Sequence, residues 1–165
     1  MSNTITYTKG DATRPQGEGP KIICHVCNDV GGWGAGFVLA ISRRWKQPEQ
    51  EYRAWYAGRE TNDFDLGAVQ FVQVEPELWV ANMVAQTGLR RTKAGPPLRY
   101  DALAVCLGHV ASKANELGAS VHMPRIGCGL AGGEWSLVEP LIVEHLGRRG
   151  VAVTVYDFEP MRSSA

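Results

Sequence analysis

The sequence lacks any apolar run long enough to span a membrane, and its polar N-terminus lacks the pattern of a signal peptide. It also lacks net charge, because 17 basic residues balance 17 acidic ones. Non-specific nucleic-acid binding depends on neutralising phosphates, so this balance argues against it. The local basic run at Arg90, Arg91, Lys93 and Arg99 is interpreted as a solvated loop. These absences predict a cytoplasmic protein without membrane or direct nucleic-acid partners.

Cysteine is scarce, with four residues at positions 24, 27, 106 and 128. Cys24 and Cys27 have the C-x-x-C spacing, but no second such pair and no histidine pair completes a zinc set. Both lie in an apolar run that predicts a strand, where residues three apart point to opposite faces. We therefore expect free, mostly buried thiols and predict no metal site.

At 165 residues, of which 44% are hydrophobic and 21% charged, the chain predicts one globular domain over 1–165 with a core of about 4–158. Apolar patterns predict strands over 5–9, 21–26, 68–74, 78–85, 120–126 and 151–158. Helical spacing predicts helices over 35–45, 48–57, 103–117 and 134–146. Gly118 is expected to cap the third helix, and Pro140 predicts a kink or a late start in the fourth. The tail after Pro160 is predicted to be irregular.

Alternating strands and helices predict an α/β fold with three layers, α/β/α, around a mixed, largely parallel sheet. The predicted strand over 120–126 runs into four glycines within seven residues, Gly127, Gly129, Gly132 and Gly133, before a helix. A glycine-rich turn exposes backbone N–H groups beside a helix N-terminus, which favours phosphate binding. The alternative is a tight turn that needs left-handed backbone angles, although four glycines exceed what a turn requires.

A second glycine-rich segment, 28–36, follows the predicted strand over 21–26. We call 28–36 the first glycine loop and 127–133 the second glycine loop. Because ligands of open α/β sheets bind outside the carboxyl ends of strands, the two loops are expected to converge there. Together they could hold a diphosphate from both sides.

With both loops in view, the chain resembles the macrodomains, which are ADP-ribose-binding modules, over nearly its whole length. The resemblance rests on K-G-D at 9–11, H-V-C-N-D-V-G-G-W-G-A-G at 25–36 and M-P-R-I-G-C-G-L at 123–130. The last motif is especially similar to the class that contains the terminal ADP-ribose protein glycohydrolase, which removes ADP-ribose from glutamate side chains. The segment around Trp33 is also similar to the fungal ADP-ribose 1''-phosphate phosphatases.

The resemblance implies an ADP-ribose site. Asp11 would accept a hydrogen bond from the adenine amine, with Ala12 lining the same end, and Asn28 would bond the distal ribose. Phe158 would stack on adenine, and Trp33 would cover the distal ribose. Backbone groups of the two loops would hold the diphosphate and distal ribose; these belong to Gly34, Ala35, Gly36, Gly127, Cys128, Gly129 and Leu130.

Each side-chain role has a structural alternative. Asp11 could simply turn the chain after a strand, and Asn28 could be a turn residue of its loop. Phe158 could belong to the core, and Trp33 could anchor the first glycine loop. These alternatives remain open at the level of sequence.

The resemblance fails at the catalytic positions. The glycohydrolase has an aspartate directly after G-C-G-L, where this chain has Ala131. Its nucleophilic lysine falls near the end of the strand over 78–85, where this chain has Gln86, and Lys93 does not match the spacing. The lysine mechanism of that relative is therefore not expected here.

Three functions remain. The first is an ADP-ribosyl hydrolase for O-linked glutamate or aspartate esters, in which Asn28 and the loops position an attacking water. The second is an ADP-ribose 1''-phosphate phosphatase with His25 as acid or base, although a buried, satisfied histidine is the favoured interpretation of His25. The third is a non-catalytic ADP-ribose reader. All three predict ADP-ribose or ADP-ribosylated proteins as partners, a monomer and no cofactor.

Overall fold

The computed structural model describes residues 5–158; the tail predicted after Pro160 lies outside them. The strands are β1 (Ile5–Lys9), β2 (Lys21–Asn28), β3 (Val69–Glu75), β4 (Leu78–Gln86), β5 (Ser120–Met123) and β6 (Val153–Asp157). The helices are α1 (Phe37–Arg44), α2 (Gln47–Ala57), α3 (Tyr100–Leu117) and α4 (Trp135–His145), followed by a 3-10 turn at Gly147–Arg149. Among residues 5–158, no helix combines the length and apolar character that crossing a bilayer requires.

The six strands form one sheet in the order β1-β6-β5-β2-β4-β3. Neighbouring strands from β1 to β4 are parallel, whereas β3 is antiparallel to β4. The sheet is therefore mixed and largely parallel, as predicted. The tight turn at 76–77 explains the one antiparallel pair, because two residues can join only antiparallel neighbours.

Helices cover both faces of the sheet and give the predicted α/β/α layers. Helices α3 and α4 pack on one face through a cluster that includes Leu103, Leu107 and Ile142, all fully buried. Helices α1 and α2 pack on the other face through a cluster that includes Ile41 and Tyr52. Strand β2 is buried on both sides, which is why its sequence is a continuous apolar run.

The cysteines follow the predicted pattern. Cys24 lies in the cluster under α3 and α4, and Cys27 lies in the cluster under α1 and α2. The two thiols are therefore separated by the sheet, and all four cysteines are free.

One predicted strand end is wrong, for a physical reason. Strand β5 ends at Met123 instead of residue 126, because Pro124 has no N–H to continue the ladder. Helix α4 starts at Trp135 and runs through Pro140, close to the predicted bounds, so the late start that Pro140 suggested is not seen. The predicted cap of α3 is confirmed: Gly118 has φ 65°, and its N–H donates to the Ala114 carbonyl.

Candidate functional site

The carboxyl ends of five parallel strands meet at one edge of the sheet, which we call the carboxyl edge. Strand β1 leads to Asp11, β6 to Phe158, β5 to the second glycine loop and β2 to the first. Strand β4 leads into a segment, 87–99, that returns to α3. Because neighbouring strands lie about 4.8 Å apart, β1 and β2 are separated by roughly 14 Å at this edge.

Asn28 shapes the first glycine loop from within. Its Oδ1 accepts hydrogen bonds from the N–H groups of Val30 (3.0 Å) and Gly32 (2.9 Å). The Tyr52 hydroxyl donates to the Asn28 backbone carbonyl at 2.6 Å and also lies 3.0 Å from Oδ1. Asn28 Nδ2 donates to the Gly32 carbonyl at 2.9 Å. Asn28 thus acts as a turn residue of its loop, and its second Nδ2 hydrogen has no acceptor among residues 5–158.

Trp33 lies buried under the first glycine loop. The side chain is only 4% exposed, its Nε1 donates to Ser42 Oγ at 2.8 Å, and its ring meets that of His25 edge to face. Burial of this ring under the loop favours the alternative that Trp33 anchors the loop; the ribose contact stays a prediction.

The end of the first glycine loop presents unused N–H groups. Gly34, Ala35 and Gly36 are exposed, and their N–H groups have no acceptor within residues 5–158. Helix α1 follows at once and has no capping side chain and no acidic residue in its first turn. The partial positive charge of the helix N-terminus is thus left for an external anion.

The glycines of the second glycine loop have two different roles. Cβ atoms at Gly127 and Gly133 would lie 2.8 and 2.3 Å from Leu98 Cδ2, and one at Gly132 would lie 2.8 Å from Pro96 Cβ. Close packing under 96–98 therefore requires these three glycines. Of the four, only Gly129 faces open space, so packing accounts for the other three glycines, and the backbone contact of Gly127 with a phosphate stays a prediction.

Backbone groups of the second glycine loop remain open beside Gly129. The N–H groups of Gly129, Leu130 and Ala131 have no acceptor in the described part of the chain. Cys128 directs its thiol to the Ile126 carbonyl at 3.4 Å, and burial raises the pKa of this thiol. Cys128 therefore offers no thiolate to a ligand, and its N–H donates to the Arg125 carbonyl at 3.4 Å.

The two loops converge, as predicted. A Cβ at Gly36 would lie 3.2 Å from Leu130 Cδ1, so the two loops lie close together at this point. Gly36 itself has φ 81°, which a residue with a side chain rarely adopts. Leu130 is 67% exposed and forms an apolar rim between two sets of open N–H groups.

The opposite end of the carboxyl edge holds Asp11 and Phe158. Asp11 Oδ1 accepts bonds from the Thr13 N–H (2.8 Å) and hydroxyl (2.7 Å), and Oδ2 has no partner among the described residues. Asp11 thus turns the chain and keeps one acceptor open. Phe158 is 71% exposed, so the alternative of a core residue is wrong. Ala12 is buried beside Asp11.

Sequence analysis missed an ion pair, Arg125 to Asp157, that links the end of β6 to the segment just before the second glycine loop. Arg125 forms two hydrogen bonds with Asp157, Nε to Oδ1 at 2.7 Å and Nη2 to Oδ2 at 3.1 Å. Its guanidinium also lies over the rings of Tyr7 and Trp135. The hydrogen bond with Arg125 lowers the pKa of Asp157. The feature of the sequence that could have indicated this pair is Arg125 in M-P-R-I, two residues before Gly127.

His25 is a buried, neutral histidine. It is 2% exposed, and its Nε2 lies 2.5 Å from Asn82 Oδ1. Burial lowers its pKa to about 4, against the effect of the Asn82 hydrogen bond. Asn82 in turn donates to the Gln70 side chain at 3.0 Å. The favoured interpretation of a satisfied core residue is confirmed, so His25 is unsuited to acid–base work at the surface.

The positions of the missing catalytic groups are occupied by structural residues. Gln86 donates to the Gly88 carbonyl at 2.8 Å, and the Ala131 carbonyl accepts from the Leu98 N–H at 3.1 Å. Asp29, which sequence analysis did not single out, is the one carboxylate in the two loops. Its Oδ1 accepts from the Gly88 N–H at 2.8 Å, while Oδ2 has no partner among residues 5–158. The signal was its position directly after Asn28.

Two surface cavities of about 500 and 520 Å³ lie away from the open N–H groups. One lies between β3 and α3 and includes Val105 and His109; the other lies at the amino ends of β2 and β4 and includes Lys21 and Leu78. Neither is lined by the glycine loops, so we base the site on the open polar groups of the carboxyl edge and not on cavity volume.

Comparison with known proteins gives the family. No protein-family model matches the chain. A macrodomain protein from Streptomyces coelicolor is 63% identical, with a TM-score of 0.83 over 93% of this chain and 98% of that one. A protein of unknown function from Bacteroides thetaiotaomicron is 58% identical, with a TM-score of 0.89 over 93% and 97%. The chain therefore belongs to the macrodomain family.

Three further relatives are less similar in sequence, and this chain spans less than half of each relative's length. The Danio rerio chromodomain-helicase-DNA-binding protein 1-like is 33% identical over 98% of this chain, which spans 16% of that relative's length. An ADP-ribose 1''-phosphate phosphatase from Saccharomyces cerevisiae is 38% identical over 52 residues, 32% of this chain and 28% of the enzyme. Thermosipho africanus DarTG, solved in complex with ADP-ribose, is 17% identical with a TM-score of 0.67 over 87% of this chain and 39% of that one, and shows a shared fold.

Proposed function

We propose that the chain binds ADP-ribose along the carboxyl edge and hydrolyses ADP-ribosyl esters of glutamate or aspartate in proteins. The observation that carries the proposal is the close approach of the two glycine loops at Gly36 and Leu130, with N–H groups on both sides that have no acceptor within residues 5–158. A diphosphate between the loops would receive those N–H groups and the N-terminus of α1. The relatives named for ADP-ribose and its 1''-phosphate support the same ligand.

The order of strands gives ADP-ribose a direction. Asp11 Oδ2 is an open acceptor suited to the adenine amine, and the exposed Phe158 ring offers a stacking surface. Both follow β1 and β6 at one end, whereas the first glycine loop follows β2 nearer the other end. With adenine at the β1 and β6 end, the distal ribose and the protein attached to it lie towards β4.

For the base we assign Asp29. Water attacks the anomeric carbon, a new C–O bond forms, and the bond to the ester oxygen breaks. The glutamate carboxylate leaves with the electron pair, and Asp29 Oδ2 accepts the proton of the water. A carboxylate is a good leaving group, so a site without the relative's lysine and aspartate still suffices. Asn28 positions the water or ribose through its remaining Nδ2 hydrogen.

The test is to incubate the protein with substrates ADP-ribosylated on glutamate, serine or arginine and to measure release. We expect release from glutamate, and Asp29→Asn, which keeps the acceptor for the Gly88 N–H, should bind ADP-ribose normally but release at least about 100-fold more slowly. Equal rates for the variant and the wild type would remove Asp29 from the mechanism.

The second candidate function is an ADP-ribose reader without catalysis. It is favoured because this chain lacks both the lysine and the aspartate that the related glycohydrolase uses. Release from no substrate, together with ADP-ribose binding in calorimetry, would establish the reader and overturn the hydrolase. Phosphate release from ADP-ribose 1''-phosphate would instead support the phosphatase, for which the buried His25 gives no acid or base.

A further inference from the structure

The basic run of the sequence forms part of a braced hairpin, residues 87–99, which we call the basic hairpin. Its base is closed by the Thr87 N–H to Pro97 carbonyl bond at 2.9 Å, and its tip by two bonds of 3.0 Å between Thr92 and Gly95. The segment is thus an ordered projection of the chain and not simply the solvated loop that the sequence predicted.

Both glycine loops hold the basic hairpin in place. The Gly88 N–H donates to Asp29 in the first glycine loop at 2.8 Å, and the Leu98 N–H donates to the Ala131 carbonyl beside the second at 3.1 Å. Leu98 also packs directly over Gly127 and Gly133. The hairpin therefore has a fixed position at the β4 end of the carboxyl edge.

The tip of the basic hairpin carries unpaired positive charge. Arg90, Arg91 and Lys93 are exposed, and their side chains have no hydrogen bond or ion pair with residues 5–158. No acidic residue occurs in 87–100, although acidic and basic residues balance over the whole chain. The hairpin is thus a local concentration of positive charge that the fold does not neutralise.

We infer that the basic hairpin binds an acidic peptide segment that flanks the modified residue of an ADP-ribosylated protein. This inference rests on the proposed function, because adenine at β1 and β6 directs the attached protein towards β4 and the hairpin. Modified glutamates or aspartates with further carboxylates around them would place negative charge within reach of Arg90, Arg91 and Lys93.

A nucleic-acid partner fits the basic hairpin less well. No residue of 87–99 is aromatic, so the tip has no ring on which a base could stack. Three cations also neutralise fewer phosphates than the six to ten, roughly, that strongly salt-dependent DNA binding uses. An acidic peptide needs only charge complementarity at short range.

The experiment compares two peptides that carry ADP-ribose through a non-hydrolysable linkage and differ only in flanking residues, acidic in one and neutral in the other. Calorimetry on the full chain gives both affinities, together with that for free ADP-ribose. We expect wild type to prefer the acidic peptide about tenfold at low salt and less at high salt. The triple variant Arg90→Gln, Arg91→Gln, Lys93→Gln should lose that preference and bind free ADP-ribose within about twofold of wild type.

The matched control changes three exposed cations at the opposite edge: Arg43→Gln, Lys46→Gln and Arg148→Gln. It lowers the net charge equally and should keep the tenfold preference. Three results would each overturn the inference. Wild type could bind both peptides equally, or both triple variants could lose the preference for the acidic peptide equally. The hairpin could also confer a preference only for an ADP-ribosylated oligonucleotide. Failure to bind free ADP-ribose would overturn the proposed function itself, so the two failures are distinguishable.

Discussion

The first glycine loop is held in shape by polar side chains, whereas the second is held in shape by the absence of side chains. In the first, Asn28 bonds to Val30 and Gly32 while Trp33 is fixed by Ser42. In the second, glycines allow Leu98 and Pro96 to lie directly on the backbone. The two loops are stabilised in different ways, but both present open N–H groups at the carboxyl edge.

The difference teaches that a glycine in such a site need not contact the ligand. Gly129 and Gly34 face open space, but Gly127, Gly132 and Gly133 are required by packing against the basic hairpin. Substitutions should therefore separate loss of stability from loss of binding, and the two loops should respond to different perturbations.

Acid should have the largest effect. Burial lowers the pKa values of His25 and His122 to about 4, below the usual value near 6.5 in an unfolded chain. Between these values the unfolded state binds more protons, so stability is lost as pH falls from about 6.5 towards 4. We expect a loss of about 2 kcal/mol for each histidine, about 4 kcal/mol together, in urea unfolding between pH 7 and pH 5.

The acid effect also distinguishes the loops, because His25 packs against Trp33 with ring centroids 5.3 Å apart. Hydrogen exchange at pH 5 should show earlier loss of protection at Gly32 than at Gly133, whose N–H donates to the Gly127 carbonyl. Constant stability from pH 7 to pH 5 would show that these histidines are not buried neutral groups.

A methyl group in the second glycine loop should have the next largest effect. Gly133→Ala places a Cβ 2.3 Å from Leu98 Cδ2 and 2.7 Å from the Gly127 carbonyl oxygen. Because backbone cannot move aside easily, we expect a loss of roughly 3 kcal/mol in the free energy of unfolding.

The matched control is Gly129→Ala, since no heavy atom lies within 4 Å of that Cβ position. It should change stability by less than about 0.5 kcal/mol and weaken ADP-ribose binding, because the methyl enters the open side of the loop. Similar losses of stability in both variants would contradict the assignment of packing and ligand-facing glycines.

Removal of the Asn28 side chain should disturb the first glycine loop alone. Asn28→Ala leaves the N–H groups of Val30 and Gly32 without their acceptor, which costs roughly 2 kcal/mol. The Tyr52 hydroxyl keeps its bond to the backbone carbonyl of residue 28. Urea unfolding gives the loss, and hydrogen exchange locates it. Protection should fall at Gly32 and persist at Gly133; an equal decrease at both would mean that the loops are not independent.

The smallest of these effects is expected at the adenine end. Asp11→Asn keeps an oxygen for Thr13 but replaces the open Oδ2 with a donor, which cannot pair with the adenine amine. ADP-ribose affinity should fall about tenfold with unchanged stability. Thr13→Val, which removes the hydroxyl bond from Thr13 to Asp11 Oδ1, serves as the control and should retain ADP-ribose affinity. An unaltered affinity for Asp11→Asn would remove Asp11 from the site.

The fold was predictable because its signals are local. Continuous apolar runs mark β2 and β4, helical spacing marks α3, and Gly118 marks the end of α3. The end of β5 was missed because the apolar character of Ile126 outweighed Pro124, whose missing N–H ends the ladder.

The site was predictable only in part, because the roles of loop residues depend on distant contacts. The roles of Gly127 and Gly133 are set by Leu98, about thirty residues away, and burial of Trp33 depends on Ser42 and α2. No local pattern distinguishes such glycines from ligand-facing ones. The brace from Arg125 to Asp157 is likewise a pairing across the sheet edge that spacing does not reveal.

The most direct test of the central claim is amide NMR of the wild-type chain during titration with ADP-ribose. The account predicts that the open N–H groups of Gly34, Ala35, Gly36, Gly129 and Leu130 shift at saturation, while the packing glycines Gly132 and Gly133 shift little. Binding at the carboxyl edge would be contradicted if those signals did not shift at saturating ADP-ribose. It would also be contradicted if the amide signals of residues lining the cavity between β3 and α3 shifted instead.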